Sequence, residues 1–318
     1  MKYLVNTSTD PYFNLAFDEY CLENIVLDEP YFYLWRNRPA VIIGLNQNAY
    51  GEVNLDYLNS HGITLARRVT GGGAVYHDLQ NLNYTIVGKA PSPQVFVDAL
   101  RELGLDAQAT GRNDIFVDGK KVSGYARRVS KKQEIIHGTL MYDVDIETLT
   151  HVLDVPGSKL QSKGISSVKS RVTNLKEHLP QFKSLDELQE KLLKILAAGD
   201  AKMELTDSQV AEIQRMAEEK FSTWEFIYGK SHEADFVHGM ELPCGKVEAR
   251  ISLYRGLIRE ITFQGDFLFD VPVERLEESL RGSRFEKSEI KAILQAEDPG
   301  KYFHGATCDE ILSLIIDN

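Results

Sequence analysis

Two short segments in the first half of the chain combine glycine with residues that could bind an anion. The first reads RRVTGGGAVYHD, residues 67–78. Consecutive glycines cost backbone entropy, so they are typical of unusual torsions or of a close approach to a ligand. Their amides could form a concave donor site, and Arg68 and Thr70, two apart on one strand, would point to the same face. A glycine bulge at a tight bend, with solvated arginines, fits the pattern as well.

The second segment reads GRNDIFVDGKKVSG, residues 111–124. Its Asp-Gly pair at 118–119 predicts a two-residue hairpin turn. In that register Phe116 pairs with Lys121 and Asp114 pairs with Ser123, so all four side chains share one face. A lysine held near an aspartate suits a phosphate, and the carboxylate could orient the ammonium or hold Mg²⁺. A surface hairpin with an ordinary ion pair is the alternative.

Short strands and later helices must position these segments. Apolar runs predict strands at Tyr31–Trp35, Ala40–Gly44, Leu65–Val69, Ala74–His77 and Leu82–Val87. Helical spacing follows at Phe96–Leu103, and the capping patterns Ser184-x-x-Glu187 and Thr206-x-x-Gln209 predict two further helix starts.

The last part of the chain predicts a separate small domain. A polar stretch, IYGKSHEAD, precedes a strand with alternating apolar residues from Val247 to Leu253 and a turn at Arg255-Gly256. Helices are then expected at Val273–Leu280 and after Thr307. The predicted division is a large domain at 1–229, a linker at 230–236 and a small α+β domain at 237–318, which is long enough to fold alone.

Composition sets wider limits. The chain has 318 residues, 43% of them hydrophobic, and a formal net charge of −11. That charge argues against general nucleic-acid binding, and without a run of 18 apolar residues we expect no membrane span. Cys21, Cys244 and Cys308 are too scattered for a disulfide framework or a zinc site. We expect a reduced, cytoplasmic protein. The basic segment Ser158–Lys176 could meet an acidic partner or form a solvated face.

Together these segments resemble the lipoate–protein ligases. The similarity also includes LWRNRPAVIIGLNQN (34–48), HGT (137–139) and KGISSVKSRVTNL (163–175). It implies an α/β (α+β) fold: a large catalytic domain of mixed β-sheets with flanking helices, related to the biotin-ligase catalytic domain, and a small C-terminal domain that moves during the cycle.

The resemblance implies a two-step reaction. ATP, with Mg²⁺, and lipoate give lipoyl-AMP and pyrophosphate, and the lipoyl group then passes to a lysine ε-amine. The implied acceptors are lipoyl domains of 2-oxoacid dehydrogenases or the glycine-cleavage H protein. We expect a monomer with no nucleic-acid or membrane partner.

Site residues follow from the matching motifs. Lys121 would be catalytic, contacting the lipoate carboxylate and the α-phosphate. The implied lipoate-binding residues are Trp35, Arg68, Thr70, Lys121 and His137. The implied nucleotide-binding residues are Arg68, Gly73, Ala74, Val75, Tyr76, Asn81, Asn113, Asp114, Lys121 and Thr139, and Asp114 would hold Mg²⁺. Trp35 would equally suit a buried core position.

One departure and two alternatives remain. The family usually has a small residue after KVSG, whereas this chain has Tyr125, which puts substrate length preference in doubt. An ATP-independent lipoyl or octanoyl transferase on the same scaffold would need an activated thiol near the lysine. A non-catalytic lipoate-binding module would keep the apolar pocket without the phosphate chemistry.

Overall fold

An eight-stranded mixed sheet forms the centre of the larger domain. The computed structural model describes residues 1–110, 113–153, 171–197, 202–229 and 235–316. Numbered in chain order, the strands of this sheet are β1 (Lys2–Leu4), β2 (Tyr31–Trp35), β6 (Asn81–Gly88), β7 (Ala107–Thr110), β8 (Asp114–Val117), β9 (Lys120–Val129), β10 (Glu134–Met141) and β11 (Lys202–Met203). They lie in the order β11-β1-β2-β6-β10-β9-β8-β7. Strand β1 is parallel to both neighbours, and the other pairs are antiparallel.

A three-stranded sheet packs beside the first. It consists of β3 (Ala40–Ile43), β4 (Thr64–Arg67) and β5 (Val75–His77), with β3 in the middle. The helices of this larger part are α1 (Pro11–Asn24), α2 (Ala49–Glu52), α3 (Leu55–His61), α4 (Gln94–Glu102), α5 (Ile146–Val152), α6 (Leu175–His178), α7 (Leu185–Leu196), α8 (Asp207–Met216) and α9 (Trp224–Tyr228). A π-helical turn at Ala217–Phe221 follows α8.

Side chains from both faces of the large sheet form its two cores. Helices α4 and α7 cover one face, where Phe96 and Leu188 join Phe32 and Tyr84 in a fully buried cluster. Helix α1 lies against strands of both sheets. Its start is fixed by Asp10, whose carboxylate accepts hydrogen bonds from the first backbone amides of the helix. Two polar residues of α1 are buried, and one of them belongs to the site described below.

The C-terminal part has a core of its own. Antiparallel strands β12 (Phe236–Leu242), β13 (Gly245–Tyr254) and β14 (Leu257–Gly265) carry the helices α10 (Glu274–Leu280), α11 (Lys287–Glu297) and α12 (Cys308–Ile316). Along β13, Val247, Ala249 and Ile251 alternate toward that core as the sequence pattern predicts. A 3₁₀ turn at Pro299–Lys301 connects α11 to the last helix.

The predicted mixed α/β class is confirmed, and the bounds differ in detail. Strand β4 ends at Arg67, two residues before the predicted end, because the chain turns there into the glycine segment. Helix α9 occupies the start of the polar stretch, and β12 begins at Phe236, the last residue of the predicted linker. Residues 230–234 lie outside the described ranges, as do 158–170 of the basic segment. No described helix is long and apolar enough to cross a membrane.

Candidate active site

A pocket of about 150 Å³ lies where the glycine segment, β9 and β10 meet. Nine of the residues predicted for the site line it: Trp35, Arg68, Gly73, Ala74, Val75, Asn113, Lys121, His137 and Thr139. Leu15 and Ile42 add to its apolar wall beside Trp35. The indole of Trp35 also belongs to the buried core and donates from Nε1 to Thr85 Oγ1 at 2.9 Å. Both interpretations of Trp35 are therefore compatible with its position.

Four predicted residues do not line the pocket. Thr70 is buried behind the pocket and contacts the lining residue His137. Asp114 contacts the lining residue Lys121. The side chain of Tyr76 packs in the core of the smaller sheet and does not line the pocket. Asn81 donates from Nδ2 to Asn83 Oδ1 at 2.9 Å, and Asn83 rather than Asn81 lines the pocket.

Lys121 lies on the hairpin of β8 and β9, and its backbone is fixed by hydrogen bonds to the segment at 171–173. Its backbone amide donates to Arg171 O at 2.8 Å, and its carbonyl accepts from Thr173 N at 3.0 Å. The Lys121 ammonium lies 2.7 Å from a carboxylate oxygen of Asp114. A Cβ at Gly124 would come within 3.1 Å of Lys121 Nζ. The absence of a side chain at this position therefore leaves room for the lysine side chain to cross the strand.

One predicted pairing in this hairpin is wrong. Phe116 pairs with Lys121 as expected, but Ile115 pairs with Ser123 and Asp114 with Gly124. Strand β9 therefore contains one extra residue at this point. The shift moves Ser123 to the buried face, since adjacent residues of a strand alternate between faces.

The two arginines of the glycine segment have different partners. Arg67 is buried and donates to the carbonyls of Gly44, Leu45 and Gln47 and to those of Phe226 and Ile227. Burial lowers its pKa to about 10. The guanidinium satisfies these carbonyls and forms no ion pair with any described carboxylate, so it acts as a structural cross-link.

Arg68 fixes the glycine segment itself. It donates to Gly71 O at 2.5 Å and Gly73 O at 2.9 Å, and from Nε to Thr70 Oγ1 at 3.0 Å. Burial, followed by the charge of Arg67, lowers its pKa to about 10. Gly72 has φ +90°, and a Cβ there would lie 2.9 Å from the Arg68 guanidinium, so a glycine is required on two counts.

A buried polar chain connects this segment to α1. His137 Nε2 lies 2.7 Å from Thr70 Oγ1, and its Nδ1 lies 2.6 Å from Asp18 Oδ2. The Asp18 carboxylate is fully buried and also accepts from Tyr33 OH at 2.6 Å and from Thr85 Oγ1 at 2.9 Å. Asp18 has only acceptors, so the His137 proton lies on Nδ1 and the ring orientation is fixed.

Comparison with known proteins decides the family. Residues 10–197 match the lipoyl protein ligase A/B catalytic domain, and residues 231–315 match the bacterial lipoate protein ligase C-terminus. The lipoate-protein ligase LplJ of Bacillus subtilis is 35% identical over 96% of this chain and 97% of its own. Lipoate–protein ligase 1 of Staphylococcus aureus is also 35% identical, over 99% and 100%.

The chain belongs to the lipoate–protein ligase family.

Solved structures agree with this assignment. A bi-partite lipoate protein ligase from Thermoplasma acidophilum superposes with a TM-score of 0.65 at 30% identity, covering 74% of this chain and 98% of that one. A lipoate-protein ligase A bound with ATP gives 0.62 at 29%, covering 72% and 99%. The LipL1 protein of P. falciparum, in complex with lipoate, has the same fold with a TM-score of 0.83 at 24% identity, covering 100% and 99%.

The small domain of this ligase rests on the glycine segment. Gly72 N donates to Phe267 O at 3.1 Å, and Val129 N donates to Asp270 O at 2.9 Å. A Cβ at Gly71 would lie 2.3 Å from Phe267 O, so this glycine permits the two parts to touch. The glycine amides were expected to bind an anion. In this arrangement the Gly72 amide instead donates its hydrogen bond to a carbonyl of the small domain.

In the part of the ligase that the structure describes, no cysteine lines the pocket and no complete set of metal-ligating side chains is found. Cys21 and Cys244 are buried, Cys308 lies in the small domain, and none of the three lines the pocket. Burial raises the pKa of the Cys21 thiol. Within the described ranges no group of three or more His, Cys, Asp and Glu side chains is placed to hold a metal ion.

Proposed function

We propose that this ligase activates lipoate with ATP to lipoyl-AMP, releasing pyrophosphate, and then transfers the lipoyl group to a lysine ε-amine of an acceptor protein. The supporting observation is Lys121, a cation paired with Asp114 in a pocket that the apolar side chains of Leu15, Trp35 and Ile42 also line. Such a pocket suits a ligand with a carboxylate at one end and an apolar chain at the other.

Lys121 would act in the first step. A lipoate carboxylate oxygen attacks the α-phosphorus of ATP, the acyl–phosphate bond forms, and the bond to pyrophosphate breaks. Negative charge is concentrated between the carboxylate and the α-phosphate during this step. An ammonium placed in advance between them stabilises that charge with little reorganisation. Asp114 would orient the ammonium through their 2.7 Å contact.

The acyl chain would lie against Leu15, Trp35 and Ile42. Covering apolar surface contributes about 25 cal/mol per Å², so a chain of this length gains several kcal/mol by leaving water. In this proposal Arg68 and His137 complete the wall around the carboxyl end, with Thr70 behind them. Their mutual hydrogen bonds keep that wall rigid.

ATP would lie along the backbone of Gly73–Tyr76, with Asn81, Asn113 and Thr139 among its polar surroundings. Asn113 is already oriented, because its Nδ2 donates to Tyr125 O at 2.7 Å. Mg²⁺ usually takes one or two protein carboxylates and completes its shell with phosphates and water. A single carboxylate, that of Asp114, fits this mode, and the ion would neutralise phosphate charge.

The second step would use an acceptor lysine, whose amine displaces AMP from the acyl carbon. Lipoyl domains and the glycine-cleavage H protein are the acceptors we propose, and the structural analysis of the archaeal relative concerns the ligase and its E2 lipoyl domain. We also propose the domain division 1–229, 230–236 and 237–318. A transferase that uses a cysteine thioester is disfavoured because no cysteine reaches the pocket.

Lipoate-dependent exchange of pyrophosphate into ATP tests the first step, and a mass shift on the acceptor tests the second. We expect Lys121→Ala to lower exchange by about 100-fold or more, the usual effect of removing one transition-state donor. Lys120→Ala removes an exposed neighbouring lysine that does not line the pocket, and serves as the matched control. Exchange near the wild-type rate in a folded Lys121→Ala protein would exclude the proposed role.

A further inference from the structure

His77, at the end of β5, forms part of the apolar wall of the pocket. The residue is 4% exposed. Its ring centroid lies 6.1 Å from that of Trp35, at an interplanar angle of 74°, and both side chains line the pocket. The sequence motif contains His77, but the residue type alone does not indicate that it lines the pocket beside Trp35.

Buried amides fix which ring nitrogen carries the proton. Asn14 Nδ2 donates to Ser8 O at 3.1 Å and to Arg36 O at 2.9 Å, which sets the orientation of that amide. The same NH₂ group has only two hydrogens, so it shares one of them with Asn37 Oδ1, 2.8 Å away. Asn37 must therefore present its Nδ2 to His77 Nδ1, 3.1 Å away. Because Nδ1 accepts this hydrogen bond, the proton of the neutral ring lies on Nε2.

The resulting N–H group has no hydrogen-bond partner among the described residues. Burial, then the positive charge of Arg68 and the neighbouring His137, lower the pKa of His77 to about 3, which keeps the ring neutral at physiological pH. A buried donor without an acceptor is unfavourable. His77 lines the pocket, but Nε2 itself has less than 1 Å² of accessible surface, so a ligand would supply the acceptor once the ring shifts toward the pocket.

We propose that His77 Nε2–H donates a hydrogen bond to a sulfur of the lipoate dithiolane ring and so selects lipoate over plain fatty acids. This inference rests on the proposed function. With the carboxyl end held at Lys121, the acyl chain ends on the wall formed by Trp35 and His77. The two sulfurs are the only acceptors that lipoate has outside its carboxylate, although sulfur accepts weakly. Octanoate has none, so it leaves the donor unpaired.

The test is a competition between lipoate and octanoate for adenylate formation, with both acyl-AMP products quantified by mass spectrometry. In His77→Leu the lipoate-to-octanoate ratio should fall about tenfold, which corresponds to about 1.4 kcal/mol. His77→Gln is the matched control. Its Oε1 can accept from Asn37 while its Nε2 donates to the ligand, so the ratio should stay near that of the wild type. An unchanged ratio in His77→Leu would overturn the inference.

A second measurement uses the unmodified protein. With ¹⁵N-labelled histidine, the Nε2–H resonance of His77 should shift on addition of lipoate and shift less with octanoate. Equal shifts with both ligands would overturn the inference. If the wild type forms neither adenylate, the proposed function itself fails. If it forms both at equal rates, only the role of His77 fails.

Discussion

Replacing Asp18 by asparagine tests whether the buried polar chain behind the pocket stabilises the larger domain. The asparagine keeps Oδ1 for Tyr33 and Thr85, but it places an NH₂ group where His137 Nδ1–H now donates at 2.6 Å. The imidazole must then move its proton to Nε2. That nitrogen faces Thr70 Oγ1, which also accepts from Arg68, so the threonine hydroxyl loses its acceptor.

The expected cost follows from these contacts. A hydrogen bond to a buried charged group contributes about 1.5–3 kcal/mol, and this substitution removes one while retaining the other two bonds to Asp18. We therefore expect a loss of about 2 kcal/mol in the free energy of unfolding. For a domain of this size, each kcal/mol lowers Tm by about 2–4 °C, so the midpoint should fall by about 4–8 °C.

Thermal unfolding followed by circular dichroism measures this change. Asp98→Asn is the control, because Asp98 is 61% exposed in its ion pair with Arg101 and such pairs contribute about 0–1 kcal/mol. In a His137→Leu background, Asp18→Asn should cost less, since its hydrogen bond to the ring is already lost. A Tm for Asp18→Asn equal to that of Asp98→Asn would refute the reasoning, and so would strict additivity with His137→Leu.

Two further predictions concern the contact between the domains. Gly71→Ala should separate the small domain from the glycine segment, because its Cβ would lie 2.3 Å from Phe267 O. Small-angle scattering should then show a larger radius of gyration. Gly73→Ala is the control: its Cβ would lie 3.9 Å from Asp266 Cβ, so the radius of gyration should stay unchanged. Burial, followed by the charge of Asp266, raises the pKa of Glu52 to about 7. The folded protein then binds a proton that the unfolded chain releases, so stability should fall by up to about 3 kcal/mol between pH 4.5 and 7. Urea unfolding at both pH values should show this fall in the wild type and not in Glu52→Gln; a pH-independent wild type would contradict it.

Local patterns in the sequence predicted much of the fold. The strands carry apolar runs bounded by turn residues, and Ser184 and Thr206 cap their helices as their spacing indicates. The Asp-Gly turn places Lys121 opposite Phe116. These features depend on residues close together in the chain, where propensity and hydrogen bonding act directly. Strand β12 and helix α11 were not predicted.

The polar interior of the site depends on distant residues and could not be predicted. Asp18 and His137 are 119 positions apart, and nothing in the sequence around Asp18 distinguishes it from a solvent-exposed acid on a helix. The orientation of His77 depends on Asn14 and Asn37, which belong to other elements. The extra residue in β9 moved Ser123 to the buried face, since one added residue reverses which face every later side chain occupies.

The adjacent arginines of the glycine segment connect the pocket to the base of the small domain. Arg68 holds the loop, while Arg67, one residue earlier, holds the carbonyls of Phe226 and Ile227 at the end of the larger domain. The end of β4 thus anchors the glycine segment on one side and the carbonyls of Phe226 and Ile227 on the other. A displacement of the small domain that keeps these hydrogen bonds would therefore pivot beyond residue 227 and would leave Arg68, on the pocket wall, in place.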